Sequence, residues 1–329
     1  MILVDLNNLE LNVKALSEDG RGLIAVVKNN AYGCGAVRVS KKLEAIGVNY
    51  LFVVDYDEAT ELLENNIKTN IIVHNSISKE YLYLIDKYSN LIPTINDLED
   101  VFLLQKSKAK KIKVHVQVDT KMNRLGFKGE GSFHKAIELL NNDNKFFIEG
   151  IYTHFVDSKA LGQVERFQEF IGDYSFPMVH CASSRTYPHI KFGNYKRIGL
   201  DLYDINQVMT LQAKVINIRK LTKGEYLGYN STYQAKEDEL IAMIPLGYGN
   251  GYLRSFKDFK VYGKGKFYPI VGRICMNHIF VKVDKDVNLD TIFELTSPNL
   301  PARELAEYIN LSCNHEVYTL FKVREVKYI

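Results

Sequence analysis

Leu23-Ile24-Ala25-Val26-Val27-Lys28-Asn29-Asn30-Ala31-Tyr32-Gly33-Cys34-Gly35 is an apolar run closed by a lysine, followed by a polar turn rich in glycine. An unbroken apolar run of this length fits a strand covered on both faces. Downstream, Ala36, Val39, Leu43 and Ile46 recur at helical spacing, and Gly47 ends the pattern. The segment therefore reads as strand, turn and helix. A lysine closing a buried strand has a desolvated amine, and such an amine can form a Schiff base with an aldehyde. Tyr32 and the glycines beside it bring a hydroxyl and close-approach backbone into the same turn, which a phosphorylated ring requires.

The same unit recurs along the chain. Strands are expected at 23–28, 50–55, 70–74, 91–96, 114–119, 149–154, 177–182 and 195–203, with amphipathic segments between them. One of these helices starts at Asn96-Asp97, good N-cap residues, and buries Val101 and Leu104. Eight strands alternating with helices imply an α/β fold of the (β/α)₈ TIM-like barrel type. After about residue 206 helical periodicity fades, and β-rich runs follow at 211–218, 239–244, 260–262, 266–271 and 279–283. A helix over 302–309 precedes a last strand near 317–323. The expected division is a barrel over 1–205 and a mainly β domain over 206–329.

Composition narrows the function classes. With 329 residues the chain is too long for most single cores. Its 42 basic and 39 acidic residues are too balanced to point to nucleic acid or a membrane as partner. Cys34, Cys181, Cys275 and Cys313 form no CxxC pair, so free thiols and no metal site are expected. Asp5 interrupts the N-terminus too early for a secretory signal, and no apolar run is long enough to span a bilayer. A cytoplasmic location is the expectation.

Function in a barrel is built where its strands end. Lys28 follows the first strand, Arg124 the fifth, His154 ends the sixth, Ser183-Ser184 follow the seventh, and Arg197 lies in the eighth. Singly each has a structural explanation: a hydrogen-bonded histidine, a helix cap, half an ion pair. Their convergence on one rim is what points to a site.

Motifs from both halves make the comparison specific. The Lys28 stretch is followed by Val118-Asp119-Thr120-Lys121-Met122-Asn123-Arg124-Leu125-Gly126-Phe127, Thr153-His154-Phe155, His180-Cys181-Ala182-Ser183-Ser184 and Arg197-Ile198-Gly199-Leu200. Leu227-Gly228-Tyr229-Asn230, the stretch from Pro245 through Tyr248 to Arg254, and Val271-Gly272-Arg273-Ile274-Cys275-Met276-Asn277 complete the set. In content and order these resemble the alanine racemases over nearly the whole chain.

That resemblance implies pyridoxal 5'-phosphate as cofactor, a small amino acid as substrate and a homodimer. Lys28 would hold the cofactor and serve one face of the substrate carbon. Tyr229, entering from the second subunit, would serve the other, with His154 as its partner. Arg197 would face the pyridine nitrogen, while Tyr32, Ser184 and the backbone of Gly199 and Leu200 would hold the phosphate. Arg124 would reach the ring oxygen or the substrate carboxylate, Met276 the same carboxylate, and Tyr248, Arg254 and Arg273 the substrate channel. The chain departs from the family pattern at Gln117, where relatives carry a modified, anionic lysine, at Asn277 for Asp, and at His315 for a phosphate-side tyrosine. Cys34 and Ser183 replace the more usual His and Asn. The implied activity is racemisation of alanine. Racemisation of another amino acid, such as serine or a basic one, and cofactor binding with little turnover are the alternatives.

Overall fold

A computed structural model of the chain describes residues 1–157, 159–160 and 162–329. Two compact units form: Met1–Leu9 with Tyr203–Ile329, and Glu10–Leu202. The first strand, β1 (Ile2–Val4), lies in the former.

The Glu10–Leu202 unit is a closed parallel barrel of β2 (Gly22–Val26), β3 (Tyr50–Val53), β4 (Asn70–Val73), β5 (Leu91–Ile95), β6 (Ile112–Gln117), β7 (Phe146–Tyr152), β8 (Met178–Ala182) and β9 (Tyr195–Ile198). Closure comes from β2 and β9, with Ile24 opposite Arg197 and Ala25 opposite Ile198. The strands are apolar on both faces because helices cover the outside; all five residues of β5 are buried. The helix Ala36–Ala45 sets Ala36, Val39 and Leu43 inward, and Gly47 beyond it takes a positive φ of 86°. Asp97 caps the helix Leu98–Leu104 in a reciprocal box with Asp100.

The eighth barrel strand is shorter than the expected 195–203. It ends at Ile198, and Leu200–Asp204 is a short helix, begun by Leu202 N–H donating 3.0 Å to the Gly199 carbonyl. Leu202 and Tyr203, read as strand, are buried helix residues.

The other unit holds a six-stranded sheet in the order β16–β15–β18–β10–β1–β19, a three-stranded sheet β11–β14–β17 and the hairpin β12–β13. These strands are β10 (Met209–Lys214), β11 (Asn217–Leu221), β12 (Tyr226–Leu227), β13 (Tyr233–Gln234), β14 (Glu239–Ile244), β15 (Lys260–Gly263), β16 (Lys266–Pro269), β17 (Ile279–Val283), β18 (Ile292–Thr296) and β19 (Val326–Tyr328). Leu221, Leu227, Ala235, Ile241 and Val271 form a core under the hairpin.

Three expectations are corrected here. The first residues leave the barrel assigned to 1–205, because β1 pairs antiparallel with β10 and parallel with β19. The run 211–218 splits in two, since Val215 N–H bonds to Thr291 while Ile216 N–H bonds to Met243. The strand near 317–323 is a helix, Asn314–Leu320, that buries Val317 and Tyr318 and ties the Tyr318 hydroxyl to Asp204 at 2.6 Å. Among the described residues no helix is long and apolar enough to cross a membrane.

Candidate active site

Lys28 stands just past β2, half-buried, and opens a turn of unusual hand. Asn29, Asn30, Ala31 and Tyr32 all take positive φ, from 50° to 55°. Left-handed backbone costs L-residues roughly 1–2 kcal/mol each, least for asparagine, so a run of four needs fixing from outside. The fixing is visible. Ala31 N–H donates to Val27 O at 2.8 Å, Gly35 N–H to Asn30 O at 2.9 Å, and Asn30 Oδ1 accepts from Ala36 N–H at 2.8 Å. The Glu58 carboxylate accepts from Asn29 N–H and, at 2.8 Å, from Val54 N–H. One product of the turn is the position of the Tyr32 hydroxyl. A Cβ on Gly199 would lie 2.3 Å from it, so a larger residue there would displace the hydroxyl.

Burial is the main cause that lowers the Lys28 amine below its ordinary 10.5; Arg124 and Arg197 add to it, and Glu58 opposes them. Arg197, on β9, is 6% exposed. Its Nη2 donates to the Thr153 carbonyl at 3.1 Å and to His154 Nδ1 at 3.1 Å, and its Nη1 to His180 Nδ1 at 2.8 Å. The guanidinium also lies over the rings of Phe52 and Tyr152, 5.1 and 4.9 Å from their centroids. His154 falls two residues past the end of β7. Burial first, then the Arg197 and Arg124 charges, push it down to about 3, so it is neutral.

Arg124 is exposed on the loop after β6. That loop is closed by Asp119 N–H to Phe127 O at 2.8 Å and Phe127 N–H to Gln117 O at 3.0 Å. Gln117 Nε2 donates to the Leu125 carbonyl at 3.2 Å, so it braces the backbone next to Arg124. After β8, Ser184 Oγ accepts from Asp201 N–H at 3.2 Å, which sets it at the start of the Leu200–Asp204 helix beside Gly199.

The β unit carries the remaining expected residues. Tyr229 follows β12 and is 64% exposed; Met276 is 55% exposed. Gly249 N–H donates to the Met276 carbonyl at 2.9 Å and Tyr248 N–H to the Cys275 carbonyl at 3.1 Å, so the Tyr248 and Met276 loops are joined. Gly247 permits that approach, since a Cβ there would meet the Cys275 carbonyl at 2.1 Å. The Arg254 guanidinium lies 4.4 Å from the Tyr248 ring centroid. His315 is the second residue of the helix Asn314–Leu320, with Cys313 Sγ 2.9 Å from its Nε2.

Thus Lys28, Tyr32, Arg124, His154, Ser184, Arg197, Gly199 and Leu200 gather at the C-terminal ends of the barrel strands, and Tyr248 and Met276 meet in the β unit. Sequence reasoning missed His74. It follows β4, is buried, and bonds through Nδ1 to the Tyr152 hydroxyl at 3.1 Å. Its Nε2 is buried with no partner among the described residues. Burial, then Arg124, Arg197 and Lys28, push it down to about 3. A polar residue at the strand end was the available signal.

The comparisons with known proteins agree with the fold. Residues 4–207 match a protein-family model described as "Alanine racemase, N-terminal domain", and residues 208–328 one described as "Alanine racemase, C-terminal domain". An alanine racemase of Ligilactobacillus salivarius is 30% identical over 88% of this chain and 86% of its own. The crystal structure of alanine racemase from E. faecalis superposes with a TM-score of 0.91 at 28% identity, covering all of this chain and 97% of that one. A histidine racemase from Leuconostoc mesenteroides has a TM-score of 0.89 over 100% of this chain and 96% of its own; at 22% identity this likeness bears on the fold alone.

Proposed function

The chain belongs to the alanine racemase family, and from that premise we propose that it interconverts L- and D-alanine with pyridoxal 5'-phosphate, using Lys28 and Tyr229 as opposed bases. The observation that carries the reading is Lys28 itself: a half-buried amine just past the first barrel strand, its pKa lowered by burial and by the charges of Arg124 and Arg197. The residues suit an anionic, ring-shaped group. Positive charge from Lys28, Arg124 and Arg197 gathers there, Tyr32 sets its hydroxyl close against Gly199, and His74 holds an unpartnered ring nitrogen.

Tyr32, Ser184 and the N–H groups of Gly199 and Leu200 would hold the phosphate, Lys28 would bind the aldehyde carbon, and Arg197 would face the ring nitrogen. Bound there, the cofactor supplies an electron sink that weakens the substrate Cα–H bond. Lys28 takes or returns the proton on one face. Tyr229 of the partner subunit does so on the other, because inversion needs a group on each side. A free phenol, with a pKa of roughly 10, is a poor base at neutral pH and needs a donor beside it. His154 can be that donor. Arg197 Nη2 donates to its Nδ1, so the proton of the neutral ring is on Nε2 and can be given to an oxygen. Arg197 carries no readily transferred proton, which leaves the ring a weaker sink and restrains side reactions.

Gln117 favours a second reading, a racemase of another amino acid. Its amide braces Leu125 and puts no negative charge near Arg124, so the substrate-carboxylate side is more cationic than where an anionic lysine stands. One experiment separates the readings. The chain is incubated in D₂O with pyridoxal phosphate and L- and D-forms of alanine, serine, lysine and histidine, followed by chiral analysis. Exchange with inversion, fastest for alanine, is expected. A clear preference for another amino acid would replace alanine with it, and exchange with retention would remove the two-base mechanism.

A further inference from the structure

From Arg197 a line of hydrogen bonds runs away from the mouth through the barrel interior. Arg197 Nη1 is 2.8 Å from His180 Nδ1, His180 Nε2 is 2.9 Å from His115 Nδ1, and His115 Nε2 is 3.4 Å from Glu149 Oε2. The two histidines are fully buried, and Arg197 and Glu149 are 6% and 5% exposed. A guanidinium donates and never accepts, so His180 must offer a lone pair at Nδ1 and carry its proton on Nε2. That proton goes to His115 Nδ1, which forces the His115 proton onto Nε2 and so toward the Glu149 carboxylate. Each tautomer follows from its neighbour. The other choice would set two N–H groups face to face in a dry interior.

Local backbone serves this line. The pairing of β6 with β7 shifts register so that Val114 lies opposite Ile148 and His115 opposite Gly150. Glu149 is the residue skipped, and a bulge re-aims a side chain that regular alternation would send elsewhere. Gly150 then makes room for the imidazole; a Cβ on it would stand 2.7 Å from His115 Cε1. Lys113 Nζ at 2.8 Å and the Tyr50 hydroxyl at 3.3 Å complete the surroundings of Glu149. Burial raises the Glu149 carboxyl, but the bonds from His115 and Lys113 outweigh it and hold the group below its usual range. Burial is also the main cause that lowers both histidines, so the rings are neutral.

We propose that Glu149 and His115 are positioning residues for Arg197: acting through His180, they fix the guanidinium so that its remaining N–H groups face the ring nitrogen of the cofactor. Three of its five N–H groups are taken by His180, Thr153 and His154, and the line from Glu149 holds the first of these partners in the only tautomer that can accept. The idea rests on the reading of the mouth as a pyridoxal-phosphate site, but its first test does not need the cofactor.

That test is ¹⁵N-histidine NMR on the full chain without cofactor, with assignment by His115→Gln and His180→Gln. Both rings are expected as neutral Nε2–H tautomers at pH 7; an Nδ1–H tautomer at either would overturn the proposal. Glu149→Gln keeps an acceptor and should preserve both tautomers. Glu149→Leu removes it and leaves the His115 Nε2 proton without an acceptor against the constraint from Arg197, so a minor Nδ1–H population at His115 is expected. Pyridoxal phosphate titration by absorbance should then show Glu149→Gln close to wild type and Glu149→Leu about tenfold weaker, the low end of what losing an outer-shell hydrogen-bond partner costs at metal sites. A Glu149→Leu protein that folds, keeps both tautomers and binds the cofactor as wild type does would refute positioning by Glu149. Should Glu149→Leu not fold, the wild-type tautomers still decide. Failure of the wild type to bind pyridoxal phosphate would remove the cofactor reading while leaving the tautomer result standing.

Discussion

The barrel mouth and the exposed loops of the β unit share one proposed reaction, yet their surroundings differ in kind. At the mouth, Arg197 is buried under three hydrogen bonds and two aromatic rings, and Tyr32 is locked by a strained turn. In the β unit, Tyr229, Met276 and Tyr226 are 64%, 55% and 58% exposed. Burial is the largest cause of the lowered pKa of Lys28, His74 and His154. The mouth is thus preorganised within one chain, whereas Tyr229 stands in solvent until something covers it. In the proposed function that cover is a second copy of the chain.

The largest effect should come from breaking the buried half. Lys28→Ala is expected to lower racemisation by on the order of 10⁴-fold or more, combining the loss of a base with loss of covalent cofactor attachment. Its visible absorbance should change to that of free pyridoxal phosphate; an unchanged spectrum would exclude Lys28 as the attachment point. Tyr229→Phe should cost about 10²–10⁴-fold, with α-proton exchange lost unequally from the two enantiomers. Equal loss would count against the division of faces.

The two variants together sharpen the contrast. If Tyr229 enters from the partner subunit, neither homodimer of Lys28→Ala or Tyr229→Phe has an intact site. A heterodimer has one, pairing Lys28 of one chain with Tyr229 of the other. Equal mixing with subunit exchange should restore roughly a quarter of wild-type activity, since half the dimers carry one good site of two. Activity no higher than that of the two variants alone would sink the shared-site reading, as would full activity in a monomer.

Burial at the mouth should also show in the pH dependence of stability. His74 and His154 sit at about 3, below the ordinary 6.5, because burial and neighbouring cations disfavour their charged forms. Between those values the unfolded chain binds protons that the folded chain does not, so stability falls as pH drops below 6.5 and is unaffected by these groups above it. The slope is at most about 1.4 kcal/mol per pH unit for each histidine. Urea midpoints of the cofactor-free protein at pH 8, 6 and 5 would measure it. His74→Leu should flatten the curve, and an unchanged slope would show that His74 is not held neutral.

Much of this architecture is legible in the residues, and the failures have physical causes. Barrel strands announce themselves because helices cover their outer faces, which makes them continuous apolar runs. Lys28 and Arg197 can be placed because strand ends are where barrels keep polar groups. The three residues of β1 were missed because their partners, Leu211 and Val326, lie hundreds of positions away. Val317, Tyr318, Leu320 and Phe321 read equally well as strand or helix at that length. The line from Arg197 to Glu149 was invisible for a different reason. It joins positions 115, 149, 180 and 197 through a bulge, and register is a property of the folded sheet.

The smallest effect expected here belongs to the exposed half, and it tests whether exposure makes a residue dispensable. Arg254 lies over the Tyr248 ring at 4.4 Å, and the Arg254 side chain is in solvent. A cation–π pair at such a site contributes about 0.5–1 kcal/mol. Arg254→Ala should therefore leave the fold and the cofactor spectrum unchanged and alter kcat/KM by roughly two- to fivefold, chiefly through KM, because the pair orients Tyr248 rather than the reacting atoms. Desolvation is what would enlarge that figure. A loss of a hundredfold or more would mean that the pair is buried in the working enzyme, so that assembly covers the Tyr248 loop as well as Tyr229. The contrast between the two halves would then describe the isolated chain and not the enzyme that turns over.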